Sequence, residues 1–109
     1  MHGSAPTSFP DVEAVCKANV YFDGRVVSHT ILAADGTRRT LGLIFPGTYH
    51  FGTAAPELMQ IVAGTARVRL HGETAFTSYG PGTAFRIPGS SSFDIASDDA
   101  IVEYVCTFL

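Results

Sequence analysis

Apolar residues along this chain occur in short runs that are separated by turn-forming residues. Turn signals such as Asp35-Gly36, Pro46-Gly47 and Pro88-Gly89 recur at intervals of roughly eight to eleven residues. No run shows the 3.6-residue period of an amphipathic helix. The runs predict strands at 26–32, 41–45, 49–53, 58–63, 66–70, 84–87, 93–96 and 101–108. Short strands at this spacing indicate an all-β sandwich or barrel.

Alternation of apolar and polar residues is clearest in the strand predicted at 66–70. Ala66, Val68 and Leu70 are predicted to face inward, and the two arginines between them to face water. The last predicted strand, 101–108, is instead apolar on both faces. Both faces of such a strand are usually covered. This pattern predicts that the chain pairs with a second copy of itself as a homodimer.

The beginning of the chain lacks this regular pattern. Ser4, Pro6, Ser8 and Pro10 interrupt any helical or strand period. We therefore predict a flexible N-terminal extension over 1–18 and a folded domain over 19–109.

Composition and charge narrow the class of protein. The 109 residues, 46% of them hydrophobic, support one domain with one core. Ten acidic against seven basic residues give a formal charge of −3, which argues against nucleic-acid binding. No apolar run approaches the ~20 residues that span a membrane, and 1–19 lacks the features of a signal peptide. We expect a cytoplasmic protein in which Cys16 and Cys106 are free thiols.

Two spacings resemble the two-part motif of the cupin family. Glu57 is followed after six residues by Gly64, and Gly82 is followed after five residues by Pro88. In cupins the first motif also carries a His-x-His pair, and the second motif ends with a histidine. The resemblance implies a cupin-like double-stranded β-barrel, or jelly roll, in which ligands at i and i+2 point to one face of a strand.

The metal-binding histidines of that motif are missing from this chain. Depending on the spacer, the His-x-His positions are Phe51 and Thr53 or His50 and Gly52, and the second-motif position is Phe93. Tight first-row metal sites usually need three or four protein ligands. The sequence therefore predicts no metal site, with His50 as an exposed strand residue.

Longer segments are similar to one particular cupin family. They are 19–24, 40–43, 49–59, 85–89 and 104–109, and the most specific part reads Phe-x-Thr-Ala-x-Pro-Glu-x-Met. On these residues the chain resembles the bacterial pyrimidine/purine nucleoside phosphorylases over about 19–109. The resemblance implies that a nucleoside and phosphate give a free base and pentose 1-phosphate. It also implies broad base tolerance, phosphate as co-substrate without a metal or other cofactor, and a dimer.

This chemistry requires particular residue types. Breaking the glycosidic bond builds positive charge on the sugar. Glu57 is the candidate catalytic residue, because it is predicted to point into the apolar interior, where ribose hydroxyls would satisfy its carboxylate. Its alternative role is structural, as a cap of the hairpin through backbone N–H groups.

Phosphate requires a cation and hydrogen-bond donors. Arg38 is the candidate cation, because a guanidinium fork matches phosphate oxygens, and Thr40 lies on the same strand face. Arg38 could equally be a solvated strand residue, and Arg39, on the opposite face, is predicted at the surface. The segment 89–92 could form an anion-binding nest or a plain polar turn.

The base requires flat apolar surfaces. Aromatic faces stack on any base. Candidate substrate-binding residues are Tyr49, Phe51, Met59, Phe93 and Tyr104, with Tyr49 placed near the mouth of the barrel. Their alternative role is to fill the core.

Three functional hypotheses follow. The first is a metal-independent nucleoside phosphorylase. The second is a non-catalytic cupin that binds a sugar or nucleoside as a sensor or carrier. The third is a metal-dependent cupin that uses His50, Glu57 and an unrecognised third ligand.

Overall fold

The structure, a computed structural model, describes residues 6–109, which form two β-sheets that face each other. The strands are β1 (Val12–Ala14), β2 (Asn19–Tyr21), β3 (Val26–Ala33), β4 (Arg38–Ile44), β5 (Gly47–Gly52), β6 (Glu57–Ala63), β7 (Ala66–Leu70), β8 (Thr77–Tyr79), β9 (Ala84–Ile87), β10 (Ser92–Ser97) and β11 (Val102–Phe108). A 3₁₀ turn, Phe22–Gly24, joins β2 to β3. No helix within 6–109 is long and apolar enough to span a membrane.

The two sheets differ in size. The large sheet has the order β1-β3-β4-β11-β6-β9, with β2 also paired to β3, and the small sheet has the order β5-β10-β7-β8. Neighbouring strands are antiparallel throughout. The all-β prediction is therefore confirmed, and each predicted strand is present with bounds shifted by a few residues at most.

The predicted closure into a barrel was wrong. The two sheets remain separate hydrogen-bonded units in the described chain. Most crossings of the chain from one sheet to the other pass through proline or glycine: Pro46, Pro56, Gly64 and Pro88. Proline lacks the N–H that would continue a ladder, and glycine favours a turn. The fold is therefore an open sandwich with jelly-roll alternation between its sheets.

Part of the predicted N-terminal extension is a strand. β1 pairs antiparallel with β3, with Val12 opposite Ala33. Upstream of it, the Phe9 ring contacts the guanidinium of Arg39, 4.6 Å from ring centroid to Cζ. The first strand thus begins before residue 19, because the edge of β3 offers unpaired backbone groups to the preceding segment. Residues 1–5 of the predicted extension lie outside the described residues, and its flexibility stays a prediction.

The core lies between the two sheets. Strand β7 shows the alternation expected from the sequence, since Ala66 and Val68 are 0% and 2% exposed. Arg67 and Arg69 project from the other face and form ion pairs with Asp98 and Asp94 at 2.8 and 2.9 Å. The largest fully buried side chains come from both sheets: Ile44, Ile61, Ile87, Ile95, Val26, Val68 and Val102.

Candidate active site

A cavity of about 340 Å³ lies between the inner faces of the two sheets. This volume falls in the range of small-molecule sites. Of the residues predicted to bind substrate or phosphate or to act in catalysis, Arg38, Thr40, Phe51, Glu57, Met59, Phe93 and Tyr104 line it. Their roles stay predictions, but period-2 alternation and sheet pairing bring them to one place.

Charged side chains form the first row of the cavity wall on the large sheet. Phe108 of β11 pairs with Glu57 of β6, and the Arg38 guanidinium lies over the Phe108 ring at 4.1 Å from the centroid. No carboxylate in the described part of the chain forms a salt bridge with Arg38. The guanidinium N–H groups of Arg38 are therefore available to an anion.

Glu57 begins β6 and is half-buried among these residues. Burial raises the pKa of Glu57 above the ordinary glutamate value of 4.5, while the Cys106 thiol and the positive charge of Arg38 act in the opposite direction. The Cys106 Sγ donates a hydrogen bond to Glu57 Oε1 at 3.4 Å. The thiol therefore holds the carboxylate in the cavity without neutralising it.

Hydroxyl and thiol groups form the second row. Thr40 of β4 pairs with Cys106 of β11, which pairs with Met59 of β6. Thr40 is buried and hydrogen-bonds the Cys106 side chain. Burial, followed by the nearby Glu57 charge, raises the pKa of Cys106, so the thiol stays protonated and remains a donor. Both cysteines are free, as expected.

A serine, a glycine and a tyrosine form the third row. Ser28 of β3 pairs with Gly42 of β4, and Gly42 pairs with Tyr104 of β11. A Cβ on Gly42 would lie 2.2 Å from Cζ of Tyr104, so the phenol ring lies directly against the glycine backbone. Sequence reasoning missed Ser28 and Cys106, although period-2 alternation from Val26 and from Tyr104 places both on the inner face.

Aromatic rings form the opposite wall on the small sheet. Phe51 of β5 pairs with Phe93 of β10, and their rings stack with centroids 5.8 Å apart and planes at 23°. Tyr21, which the sequence did not single out, meets Phe51 edge-on at 5.7 Å. The cavity thus has a charged side and an aromatic side.

Tyr49 does not belong to this site, so its predicted position near the mouth was wrong. Its side chain is in the core, 3% exposed, beneath Phe22, with ring centroids 5.0 Å apart. The hydroxyl donates to the carbonyl oxygens of Phe45 and Pro46, at 2.9 and 3.0 Å. Tyr49 and Phe51 are on the same face of β5, but Tyr49 pairs with Ile95, two residues along β10 from Phe93. Its hydroxyl stabilises the connection from β4 to β5.

Tyr49→Phe should therefore lower stability and leave function unchanged. Loss of the hydroxyl leaves two carbonyl groups without this donor, which costs about 1 kcal/mol in the free energy of unfolding. Denaturant unfolding and kcat/KM, measured on the same preparation, check both parts. A fall in kcat/KM of tenfold or more with unchanged stability would return Tyr49 to the site.

The structure separates the two residues of the metal hypothesis. His50 lies on the outer face of β5, where its Nδ1 is 2.8 Å from Asp94 Oδ1. Glu57 faces the cavity instead. Throughout 6–109, no three His, Cys, Asp or Glu side chains come together as a metal-binding group. His50 is exposed, as predicted, because Phe51 occupies the inward position beside it.

The segment 89–92 is a hydrogen-bonded turn. The N–H of Ser90 donates to the carbonyl of Ala54, and the N–H of Ser91 donates to Thr53 Oγ1, both at 3.0 Å. Because these two N–H groups already donate to protein acceptors, they are not free to bind an anion. The contacts support the polar-turn interpretation over an anion nest. The turn instead fastens the β9–β10 connection to the β5–β6 connection.

Comparisons with known proteins point to one family. A family model described as pyrimidine/purine nucleoside phosphorylase matches residues 16–108. A protein of Cupriavidus pinatubonensis named pyrimidine/purine nucleoside phosphorylase is 55% identical over 94% of this chain and 96% of its own length. A protein of the same name from Burkholderia vietnamiensis is 51% identical over 97% of this chain and 99% of its own.

Solved structures agree on the fold. A crystal structure of a protein of unknown function from Acinetobacter sp. ADP1 superposes with a TM-score of 0.90 at 38% identity, covering 94% of this chain and 98% of that one. A protein of unknown function from Vibrio parahaemolyticus gives a TM-score of 0.79 at 39% identity, covering 85% of this chain and 97% of the other.

Proposed function

The chain belongs to the pyrimidine/purine nucleoside phosphorylase family, and on that premise we propose that it phosphorolyses purine and pyrimidine nucleosides in the cavity between its sheets. Phosphate oxygen bonds to C1′ of the pentose, the C1′–N bond breaks, and its electron pair leaves with the base. The charged row formed by Arg38 and Glu57 is the main support for this reaction. Arg38 and Glu57 lie on either side of Phe108 and line a cavity with an aromatic opposite wall.

The two charges have separate tasks in this reaction. The Glu57 carboxylate binds ribose hydroxyls and stabilises the positive charge that develops on the sugar as the C1′–N bond lengthens. The Arg38 guanidinium, with the Thr40 hydroxyl behind it, holds the attacking phosphate. Holding nucleophile and sugar side by side removes much of the entropic barrier to a reaction between two molecules.

Broad base tolerance is part of the proposal. Phe51 and Phe93 offer stacked rings, and Tyr21 adds an edge. Stacking reads the flat face that all bases share and does not distinguish purine from pyrimidine. The aromatic wall therefore supports one site for both classes of nucleoside.

We further propose that the reaction needs no metal and takes place in the cytoplasm. Two cupin ligand positions hold Phe51 and Phe93, whose rings stack in the cavity. The third, Thr53, hydrogen-bonds the Pro88 carbonyl with its hydroxyl. The free thiols of Cys16 and Cys106 suit a reducing compartment.

A base-release assay tests the proposal. Uridine, inosine and adenosine are each incubated with the protein, with and without phosphate and with and without a chelator, and free base and pentose 1-phosphate are quantified. Release that requires phosphate and survives the chelator supports the proposal. Nucleoside binding without turnover indicates a sensor or carrier instead, and loss of turnover with the chelator indicates a metal-dependent enzyme.

The pH profile gives an independent test of Glu57. The proposed role requires the ionised carboxylate, and burial raises the pKa of Glu57. As pH falls through this raised pKa the carboxylate is protonated, so kcat/KM should fall with a midpoint above 4.5. The profile is measured from pH 4 to 8 with saturating phosphate. An acid limb that persists unchanged in Glu57→Gln would assign the titration to another group.

We also propose a homodimer through the outer face of the large sheet. Leu41, Leu43, Val62 and Ile101 are 37–41% exposed there and form what we call the outer patch. The patch lies around β11, whose own outward Val105 is only 3% exposed. Exposed Glu103, the strand partner of Leu43, lies on this face as well, and Phe9 lines it beside Leu41 and Val62. Exposed apolar side chains grouped on one sheet face are typical of an interface.

Leu43→Glu should convert the dimer to a monomer, because it places a second carboxylate beside Glu103, where both charges would be desolvated and repel each other. Light scattering coupled to size exclusion measures the mass. Ser78→Glu, on the exposed β8 of the small sheet, is the control and should remain dimeric. A monomeric wild-type protein, or a Leu43→Glu variant that stays dimeric, contradicts this interface.

A further inference from the structure

The Tyr104 side chain lines the cavity from a position that only a glycine at residue 42 permits. Its ring lies against Gly42, where any side chain would collide with the phenol. It lines the cavity together with Tyr21, Phe51 and Phe93. The ring therefore lines the cavity two rows from Arg38 and Glu57. A base attached to a ribose at Glu57 would extend from the charged row toward this ring.

A chain of polar groups ends at the Tyr104 hydroxyl. Asn19 Nδ2 donates to Ser28 Oγ at 3.2 Å and to Thr30 Oγ1 at 3.1 Å. Ser28 is 3% exposed and hydrogen-bonds Tyr104. Because Asn19 occupies an acceptor site on Ser28, the Ser28 hydrogen can point to the phenol oxygen. In that arrangement Ser28 donates and Tyr104 accepts, which leaves the Tyr104 hydrogen free to point into the cavity. Burial raises the pKa of Tyr104, which keeps that hydrogen in place at neutral pH.

The departing base needs a donor at one particular edge. When the C1′–N bond breaks, its electron pair spreads into the base and reaches O2 of a pyrimidine or N3 of a purine. These two acceptors occupy equivalent positions on the sugar-side edge of the base. One donor at this edge can therefore stabilise either class of leaving group, whereas a donor elsewhere would favour one class.

We propose that Tyr104 donates a hydrogen bond to this sugar-side acceptor of the departing base, and that Ser28 and Asn19 are positioning residues for its hydroxyl. The bond disperses the developing negative charge, and Tyr104 keeps its proton. The proton that neutralises the released base comes through water from the attacking hydrogen phosphate, whose ester product is left as the dianion. This inference rests on the proposed phosphorolysis and adds the group that assists the leaving base.

Tyr104→Phe tests the contact, because it keeps the ring against Gly42 and removes only the hydroxyl. We expect kcat/KM for inosine and for uridine to fall about 30-fold, as for loss of a hydrogen bond to a charged group. The decisive comparison uses 3-deazainosine, in which C–H replaces N3. The kcat/KM of wild type should be about 30-fold lower on 3-deazainosine than on inosine. The kcat/KM of Tyr104→Phe should be nearly the same on the two substrates.

Matched controls separate contact from packing. On 7-deazainosine, which retains N3, the ratio of wild-type to Tyr104→Phe rates should stay near 30. Tyr21→Phe removes the hydroxyl of the other tyrosine that lines the cavity. This variant should keep the wild-type ratio of inosine to 3-deazainosine rates. Ser28→Ala should lower the inosine rate about fivefold and the 3-deazainosine rate much less, because it leaves the phenol hydrogen without a fixed direction.

The outcomes distinguish the two proposals. Suppose that wild type phosphorolyses inosine and uridine, and that the ratio of wild-type to Tyr104→Phe rates is the same for inosine and for 3-deazainosine. This result overturns the Tyr104 contact but not the proposed phosphorolysis. Absence of phosphate-dependent base release in wild type overturns the proposed function and the Tyr104 role together. A ratio of wild-type to Tyr104→Phe rates that falls to near 1 on 3-deazainosine but stays near 30 on 7-deazainosine supports both proposals.

Discussion

Glu57→Gln is expected to lower kcat/KM for phosphorolysis about 100-fold without unfolding the protein. Glutamine has nearly the same shape and can still hydrogen-bond ribose hydroxyls, but it carries no negative charge. The loss should therefore appear mainly in kcat, since the positive charge on the sugar develops only in the transition state. Steady-state kinetics with uridine and inosine, at saturating phosphate, measure the effect.

Stability measurements on the same variant separate catalysis from folding. The raised pKa of Glu57 means that the folded state disfavours the carboxylate. Above that pKa wild type should therefore be slightly less stable than Glu57→Gln, and below 4.5 this difference should vanish. Glu13→Gln, on the exposed edge strand β1, is the matched control and should change neither quantity. Wild-type kinetics in Glu57→Gln would remove Glu57 from the mechanism.

Arg38→Met is expected to raise KM for phosphate about 100-fold, with a much smaller change in KM for the nucleoside. Methionine preserves much of the contact with the Phe108 ring but removes the charge and the N–H donors. Arg38→Lys should fall between the two, because it keeps the charge and loses the planar fork. Initial rates at varied phosphate, with the nucleoside saturating, measure the change.

The control for Arg38 comes from the same sheet. Arg86 on β9 pairs with Leu58, whose side chain faces away from Glu57, and Arg86 is exposed outside the cavity. Arg86→Met should keep the wild-type KM for phosphate. An unchanged phosphate KM in Arg38→Met, or an equal rise in both variants, would show that phosphate binds elsewhere or responds only to overall charge.

Local pattern predicted which residues share the cavity better than it predicted how deep each lies. Arg38 and Thr40 are two positions apart on β4, as are Glu57 and Met59 on β6, and all four line the cavity. Tyr49 and Phe51 are also two apart and both point inward. Phe51 nevertheless lines the site and Tyr49 is buried in the core, because alternation gives the face of a strand and not the distance from its open end.

Register explains the residues that pattern reading missed. Ser28 reaches Tyr104 because β3, β4 and β11 pair so that Gly42 lies between them in one row. Cys106 reaches Glu57 because β11 pairs with β6 in the neighbouring rows. Strands β3 and β4 form a local hairpin, but β11 is far along the chain from both β4 and β6. The alignment of β11 with these two strands therefore cannot be deduced from a short stretch of sequence.

Several properties could be predicted from the sequence: the all-β class, the positions of eight of the eleven strands, the inward faces of β6 and β7, and the family of the chain. These properties follow from side-chain alternation, turn residues and local motifs, all of which act over a few residues. Three further features are visible only in the folded chain: the sheets stay open, Val12–Ala14 joins the edge of the large sheet, and Ser28 and Cys106 line the cavity with the predicted residues. Those outcomes depend on strand register and on the packing of one sheet against the other. Both arise from contacts between residues distant along the chain.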